Sequence, residues 1–234
     1  MFALESEDIR KTFGHFTALA GVNLNVGRGE FLVLFGRNGA GKTTFLKVAA
    51  TLVRHTHGKL HVEGIDIGEN PEEARRKIGF LSHNTYLYRD LNPLENLRFF
   101  AALYGLKNPE DRIESLLERV GLRRRASDPV RTFSRGLHQR LGIARVMLHD
   151  PSIILLDEPY TGLDANAVDI LNQMLDEALV AGKTIILTTH DLDQGLRGAT
   201  RAAIIDKGKI VFTGSAKDQA IRDAYGTYIR GASR

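Results

Sequence analysis

The run Gly36-Arg37-Asn38-Gly39-Ala40-Gly41-Lys42-Thr43 combines spaced glycines with a lysine and a threonine. Glycines let a chain turn tightly enough to aim successive backbone N–H groups at one anion. Lys42 then supplies a mobile cation for outer phosphates, and Thr43 a hydroxyl suited to a magnesium ion. A second acidic element is Ile153-Ile154-Leu155-Leu156-Asp157-Glu158, four apolar residues closed by two carboxylates. A buried strand that delivers acids at its carboxyl end puts them where α/β folds bind ligands. Asp157 there can hold Mg²⁺, directly or through water, opposite Thr43. Glu158 points elsewhere and can orient a water and accept its proton. Taken alone, such a pair could equally cap the next helix. Ile185-Ile186-Leu187-Thr188-Thr189-His190 repeats the pattern with an imidazole at the strand end. His190 can hydrogen-bond a terminal phosphate oxygen and sense its loss, or be structural. Phe133-Ser134-Arg135-Gly136 precedes an amphipathic run of Leu137, Leu141, Ala144, Met147 and Leu148. Ser134 fits an N-cap, and a capped, glycine-bearing helix start is a second anion site or an ordinary cap. The first loop already wraps one nucleotide's phosphates, so this second start can serve the nucleotide of another copy.

These residues need strands and helices to carry them. Phe31–Phe35 is apolar throughout, as a strand covered on both faces would be. The stretch Lys42–Leu52 reads as the helix whose N-terminus completes the cradle. Phe2–Phe13, Gly21–Gly27, Lys59–Gly64 and Ile78–Leu81 read as strands. From Pro93 to His149 the pattern is helical: Leu94, Leu97, Phe100, Ala101 and Tyr104 recur at helical spacing, as do Ile113, Leu116, Leu117 and Val120. Pro93 and Asn108-Pro109 mark helix starts. A helix over Ala165–Ala181, a strand over Thr184–Thr189 and a hairpin of Arg201–Asp206 and Lys209–Thr213 follow. The expectation is a single α/β domain spanning 1–234, with a core of 1–84 and 150–234 and an inserted helical subdomain of 85–149.

Composition narrows the partners. The absence of cysteine excludes disulfides and thiolate zinc sites. Net charge is +4 with a pI near 9.4, which permits contact with anions and selects none. Arg75-Arg76-Lys77 and Arg123-Arg124-Arg125 read as solvated helix ends or loops. No basic stripe is interleaved with aromatics, so no nucleic acid partner is expected. Acidic residues stand where a secretory signal would have bases, and no run reaches the ~20 apolar residues of a membrane span. A soluble chain is expected, with any membrane part on another polypeptide.

In this order, the motifs resemble those of the ATP-binding subunits of ABC transporters, over nearly the whole length. Gly36–Thr43 resembles Walker A, Ile153–Glu158 Walker B with its catalytic glutamate, and Phe133–Leu137 the signature. Thr161-Gly162-Leu163-Asp164 resembles the D-loop and His190 the switch histidine. The resemblance implies a P-loop ATPase core of ABC type with an antiparallel β subdomain and a helical subdomain, using ATP and Mg²⁺. It assigns nucleotide contacts to Gly36, Arg37, Asn38, Gly39, Ala40, Gly41, Lys42, Thr43 and Thr44, and to Ser134, Gly136 and Asp164. It assigns the chemistry to Glu158, His190 and Lys42, and the cation to Thr43 and Asp157. Phe13 matches the aromatic that stacks on adenine, with Phe16 the competing candidate. A head-to-tail pair is implied, ATP lying between Walker A of one copy and the signature of the other. Integral membrane subunits are the implied partners, one lending a coupling helix to the helical subdomain, with the ATPase peripheral on the cytoplasmic face of the inner membrane. Two departures stand out. His83 occupies the place of a glutamine that offers oxygen to Mg²⁺; it is a third metal candidate, acts through water, or is only a hinge. Arg135 replaces a signature glycine and adds charge or points to solvent. His83, Leu91–Phe100, the Phe-Ser-Arg-Gly signature and Asp157–Asp164 resemble most the ATPases of bacterial haem exporters in cytochrome c maturation. Haem, or a haem chaperone, would then be met only indirectly.

Overall fold

Strands buried at every residue gather in one of two sheets. The computed structural model describes residues 2–82 and 84–230. Its elements are β1 (Phe2–Phe13), β2 (Phe16–Gly27), β3 (Phe31–Phe35), α1 (Lys42–Ala49), β4 (His57–Val62), β5 (Ile65–Asp66), α2 (Pro71–Lys77) and β6 (Ile78–Leu81). Next come α3 (Pro93–Leu103), α4 (Glu110–Arg119), α5 (Arg135–Met147), β7 (Ile153–Asp157), α6 (Ala165–Val180) and β8 (Thr184–Thr189). The chain closes with α7 (Leu192–Leu196), β9 (Arg201–Asp206), β10 (Lys209–Ser215) and α8 (Gln219–Tyr225). One sheet has the antiparallel order β2-β1-β4-β5. The other has the order β10-β9-β3-β8-β7-β6, parallel throughout except for the edge strand β10.

The central strands β3, β7 and β8 are buried at every residue. Their side chains alternate between two cores, as a period of two demands. Phe31, Val33 and Phe35 face one core, while Leu32 and Leu34 face the other. The second core is shared with β1, β2, β4 and α1. The first includes Leu97, Ile113 and Leu141 of α3, α4 and α5. The helices between β6 and β7 therefore pack on the same sheet that carries the cradle. A capping box starts α3: Asn92 Oδ1 accepts from Glu95 N at 2.9 Å, and Glu95 Oε2 accepts from Asn92 N at 2.8 Å.

Several boundaries differ from the sequence expectation: the strand read from Gly21 starts at Phe16, and the one read over Lys59–Gly64 spans His57–Val62. The helix expected to reach Leu52 ends at Ala49, where Thr51 turns left-handed at φ 59°. The helix expected through Ala181 ends at Val180. The last strand extends to Ser215. Arg75, Arg76 and Lys77 form the last turn of α2, where cations complement the helix dipole. Arg123–Arg125 is a 3₁₀ turn in which Arg123 reaches Glu118 at 3.3 Å and Arg125 reaches Asp128 at 2.8 Å. Among the described residues no helix is long and apolar enough to cross a membrane.

Candidate nucleotide site

The cradle starts where β3 stops. A Cβ at Gly36 would lie 2.7 Å from the Ile205 carbonyl oxygen, so the chain passes there only as glycine. Gly39 and Gly41 take φ of 81° and 111°, conformations that side chains oppose. A Cβ at Gly41 would also meet the Ala18 carbonyl oxygen at 2.7 Å. Gly41 is the N-cap of α1 and no side chain caps the helix, so its first amides stay available for an anion. No acidic residue in the first turn competes.

Lys42 is buried, and its ammonium folds back over the loop. Nζ donates to the Gly36 carbonyl at 2.7 Å and lies 3.3 Å from Glu158 Oε1. Thr43 Oγ1 donates to Asp157 Oδ1 at 3.0 Å, joining the first turn of α1 to the end of β7. Thr188 Oγ1 donates to the same oxygen at 2.8 Å. Asp157 is only 2% exposed, so its carboxylate is fixed by these two hydroxyls. Thr188 was not singled out by sequence. Its register opposite Asp157 in the β7–β8 pair is the signal that could have found it.

Directly after Asp157 the chain turns left-handed, with Glu158 at φ 50°. The Glu158 amide is held by the Thr188 carbonyl at 3.0 Å. Such a conformation costs about 1–3 kcal/mol in a side-chain-bearing residue and persists only where its surroundings enforce it. The result is a division of labour. Asp157 faces Thr43 and Thr188, while Glu158 faces Lys42 and His190. His190 Nδ1 lies 2.9 Å from Glu158 Oε2. The backbone carbonyl of His190 accepts from the Tyr225 hydroxyl.

A cavity of about 220 Å³ opens on this cluster, lined by Arg37, Asn38, Thr44, Glu158 and Phe16 among others. The aromatic at its edge is Phe16, not Phe13. Phe13 pairs with Phe16 across the β1–β2 turn, and its ring is covered by the Lys11 ammonium at 4.7 Å. Ala40 is buried beneath the loop. His83 lies outside the described residues.

Ser134 and Gly136 do not line this cavity, nor does Asp164. They gather at a separate place. Ser134 caps α5 by accepting from Leu137 N at 3.4 Å. Asp164 caps α6, accepting from Ala167 N at 2.7 Å, and also accepts from Arg140 at 3.2 Å. The Ala167 amide first, and then Arg140, hold its carboxyl below the usual range. Gln139 Nε2 donates to the Pro159 carbonyl at 3.4 Å. Arg135 is exposed, and its guanidinium lies beside Gly162, where an added Cβ would meet Nε at 2.7 Å. Gly162 has φ 78°, a left-handed conformation that favours glycine there.

The residues present fit a magnesium ion. Among the described residues no three carboxylate, imidazole or thiolate groups form a metal cage. A hydroxyl with one buried carboxylate is the donor set Mg²⁺ takes when substrate phosphates supply further oxygens.

A parallel sheet, a glycine cradle on a helix N-terminus and a strand-end acid pair define a nucleoside triphosphatase. Residues 19–161 match the family model described as ABC transporter. The chain belongs to the ABC transporter family and is an ATP-binding, ATP-hydrolysing subunit. It is 34% identical over 221 residues to the linearmycin resistance ATP-binding protein LnrL of Bacillus subtilis, covering 94% of this chain and 71% of that protein. It is 36% identical over 201 residues to the ABC transporter ATP-binding protein NatA of the same organism, covering 85% and 82%. Among solved structures, the dimeric post-hydrolysis state of the ATP-binding cassette MJ0796 bound to ADP and Pi superposes with a TM-score of 0.84. It has 28% sequence identity and covers 92% of this chain and 99% of that one.

Proposed function

We propose that this subunit powers a membrane export complex by closing head-to-tail on a second copy around ATP. The observation that supports this is that the α5 start, read as the second anion site, lies away from the cradle. The cradle of Lys42 and Thr43 lies on one cavity, and Ser134 with Gly136 lies outside it. A second copy brings its α5 start to the open side of the cradle, and Asp164 comes with it. The dimeric MJ0796 structure supports this arrangement.

Within the cradle, the loop amides and Lys42 hold the β- and γ-phosphates. Phe16 offers its face to the adenine. Thr43 and Asp157 would hold Mg²⁺, which when bound neutralises phosphate charge. Glu158 orients a water and takes its proton, and His190, 2.9 Å from that carboxylate, faces the terminal phosphate. Lys42 stabilises the charge that builds on the transferred phosphoryl group.

A membrane partner is supported by a groove of about 630 Å³ between β6, α3 and the turn that follows α1. Tyr86, Tyr88, Phe99 and Tyr104 are among its lining, and Leu52 and Leu103 stand half-exposed or more at its rim. An apolar concavity of this size fits an amphipathic helix from a cytoplasmic loop. The subunit then sits peripherally on the cytoplasmic face of the inner membrane.

Haem export in cytochrome c maturation is the proposed cargo process, on the wording of Leu91–Phe100, the Ser-Arg-Gly signature and Asp157–Asp164. Export of a drug or lipid-like molecule is the second reading, favoured by the linearmycin resistance protein among the relatives. The test is genetic. Removing this gene abolishes covalent haem attachment to c-type cytochromes, and a Lys42→Ala copy fails to restore it. Intact c-type cytochromes in the deleted strain overturn the haem cargo.

A further inference from the structure

The His190 backbone carbonyl sits at a break in secondary structure. β8 ends at Thr189 and α7 begins at Leu192. Its neighbours are anchored locally: Asp191 N donates to Thr189 Oγ1 at 3.1 Å, and Asp191 Oδ1 accepts from Gln194 N at 3.0 Å. The carbonyl itself is held from far along the chain, by the Tyr225 hydroxyl. Tyr225 is buried on α8, one helical turn after the buried Ile221. Its ring meets Phe35 edge-on, with centroids 5.4 Å apart and planes at 87°. Phe35 is the last residue of β3, directly before Gly36. One side chain thus touches the root of the phosphate loop and the backbone of the residue whose imidazole lies against Glu158.

We infer that Tyr225 is a positioning residue for hydrolysis, holding the His190 backbone so that the imidazole stays on Glu158 and the terminal phosphate. The carbonyl is partly buried, and the hydrogen bond from the buried tyrosine biases the backbone at His190 toward one arrangement, by about the worth of one hydrogen bond. The ring fixes where that hydroxyl stands by packing on Phe35. This inference rests on the role proposed for His190, and the two are separable by experiment.

Tyr225→Phe removes the hydroxyl and keeps the ring on Phe35. The expected result is about a fivefold fall in kcat, the size of one lost hydrogen bond, with KM and Kd for ATP within about twofold of the parent. The deciding measurement is the double variant, followed by single-turnover phosphate release. In a His190→Ala background, Tyr225→Phe should change the residual rate by less than about 1.5-fold, because the group it positions is gone. A further fivefold loss in that background, an unchanged kcat in Tyr225→Phe alone, or a parallel loss of ATP affinity each overturns the inference. If His190→Ala alone keeps parental turnover, the role of His190 is overturned and this inference with it. If His190→Ala is impaired while Tyr225→Phe is not, the role of His190 stands and only the tyrosine is excluded.

Discussion

Asp157 and Glu158 are adjacent, yet a single backbone torsion gives them different partners. The left-handed φ of 50° at Glu158 separates its carboxylate from that of Asp157 and sets it against Lys42 and His190. An acid that had turned with its neighbour would add charge to the cation site and leave the water without a base. Glu158→Gln keeps the shape, but it has one acceptor oxygen in place of the two that face Lys42 and His190, and it cannot accept a proton. ATP turnover should fall at least about 100-fold, the lower range for a general base, while ATP affinity stays within a few-fold. Steady-state phosphate release and equilibrium nucleotide binding check it, and parental turnover removes Glu158 from its role. Lys42, Thr43, Asp157 and Glu158 were legible in the sequence because chemistry fixes both their types and their spacing along one strand or loop. Thr188 was not, because its contact with Asp157 crosses two strands that lie 31 positions apart in sequence. Phe13 and Phe16 could not be told apart for a related reason. They flank one turn, and only the fold distinguishes them: Phe16 lines the cavity, while Lys11 covers Phe13.

At the scale of elements, the strands were the readable part. β3 and β7 are unbroken apolar runs, a pattern that buried parallel strands impose. α2 and α8 escaped notice because each has seven residues, too few for apolar periodicity to repeat. The junction between α3 and β6 carries a pH dependence. The His149 ring stacks on Tyr104, centroids 3.8 Å apart, and its Nε2 lies 3.0 Å from the Ile78 carbonyl. Burial pushes its pKa down to about 4 from the ordinary 6.5, with the positive charges of Arg145 and Arg112 acting the same way against the Ile78 carbonyl. The unfolded chain therefore binds a proton between pH 6.5 and 4 that the folded chain refuses. Stability from this site is fully present above the unfolded value and is lost as pH falls through that window. The loss amounts to roughly 3 kcal/mol by pH 4 from the size of the shift. Urea unfolding at pH 7 and pH 5 should show His149→Gln losing less stability on acidification than the parent. An equal loss in both proteins would sink the assignment.

The whole molecule places its two kinds of surface apart. The cradle opens at the ends of β3 and β7, while the aromatic groove lies between β6, α3 and the turn that follows α1. Leu103 is 67% exposed on the groove's rim and is not among the residues that line the cradle. Leu103→Asp should reduce co-purification with integral membrane subunits from detergent extracts by about tenfold. It should leave ATP hydrolysis by the isolated chain within about twofold, since one fully lost apolar contact is worth about 1.5–3 kcal/mol. Undiminished capture would move the docking face elsewhere.

Because Ser134 and Gly136 stand outside the cavity that Lys42 closes, damage to the cradle spares the α5 start. On the proposed head-to-tail pairing, a subunit crippled at Lys42 would remain a competent neighbour. Overproduced beside the undamaged chain, it would be recruited into mixed assemblies and leave each with one working chamber of two. Such a subunit would then act as a poison in the cell rather than as a bystander.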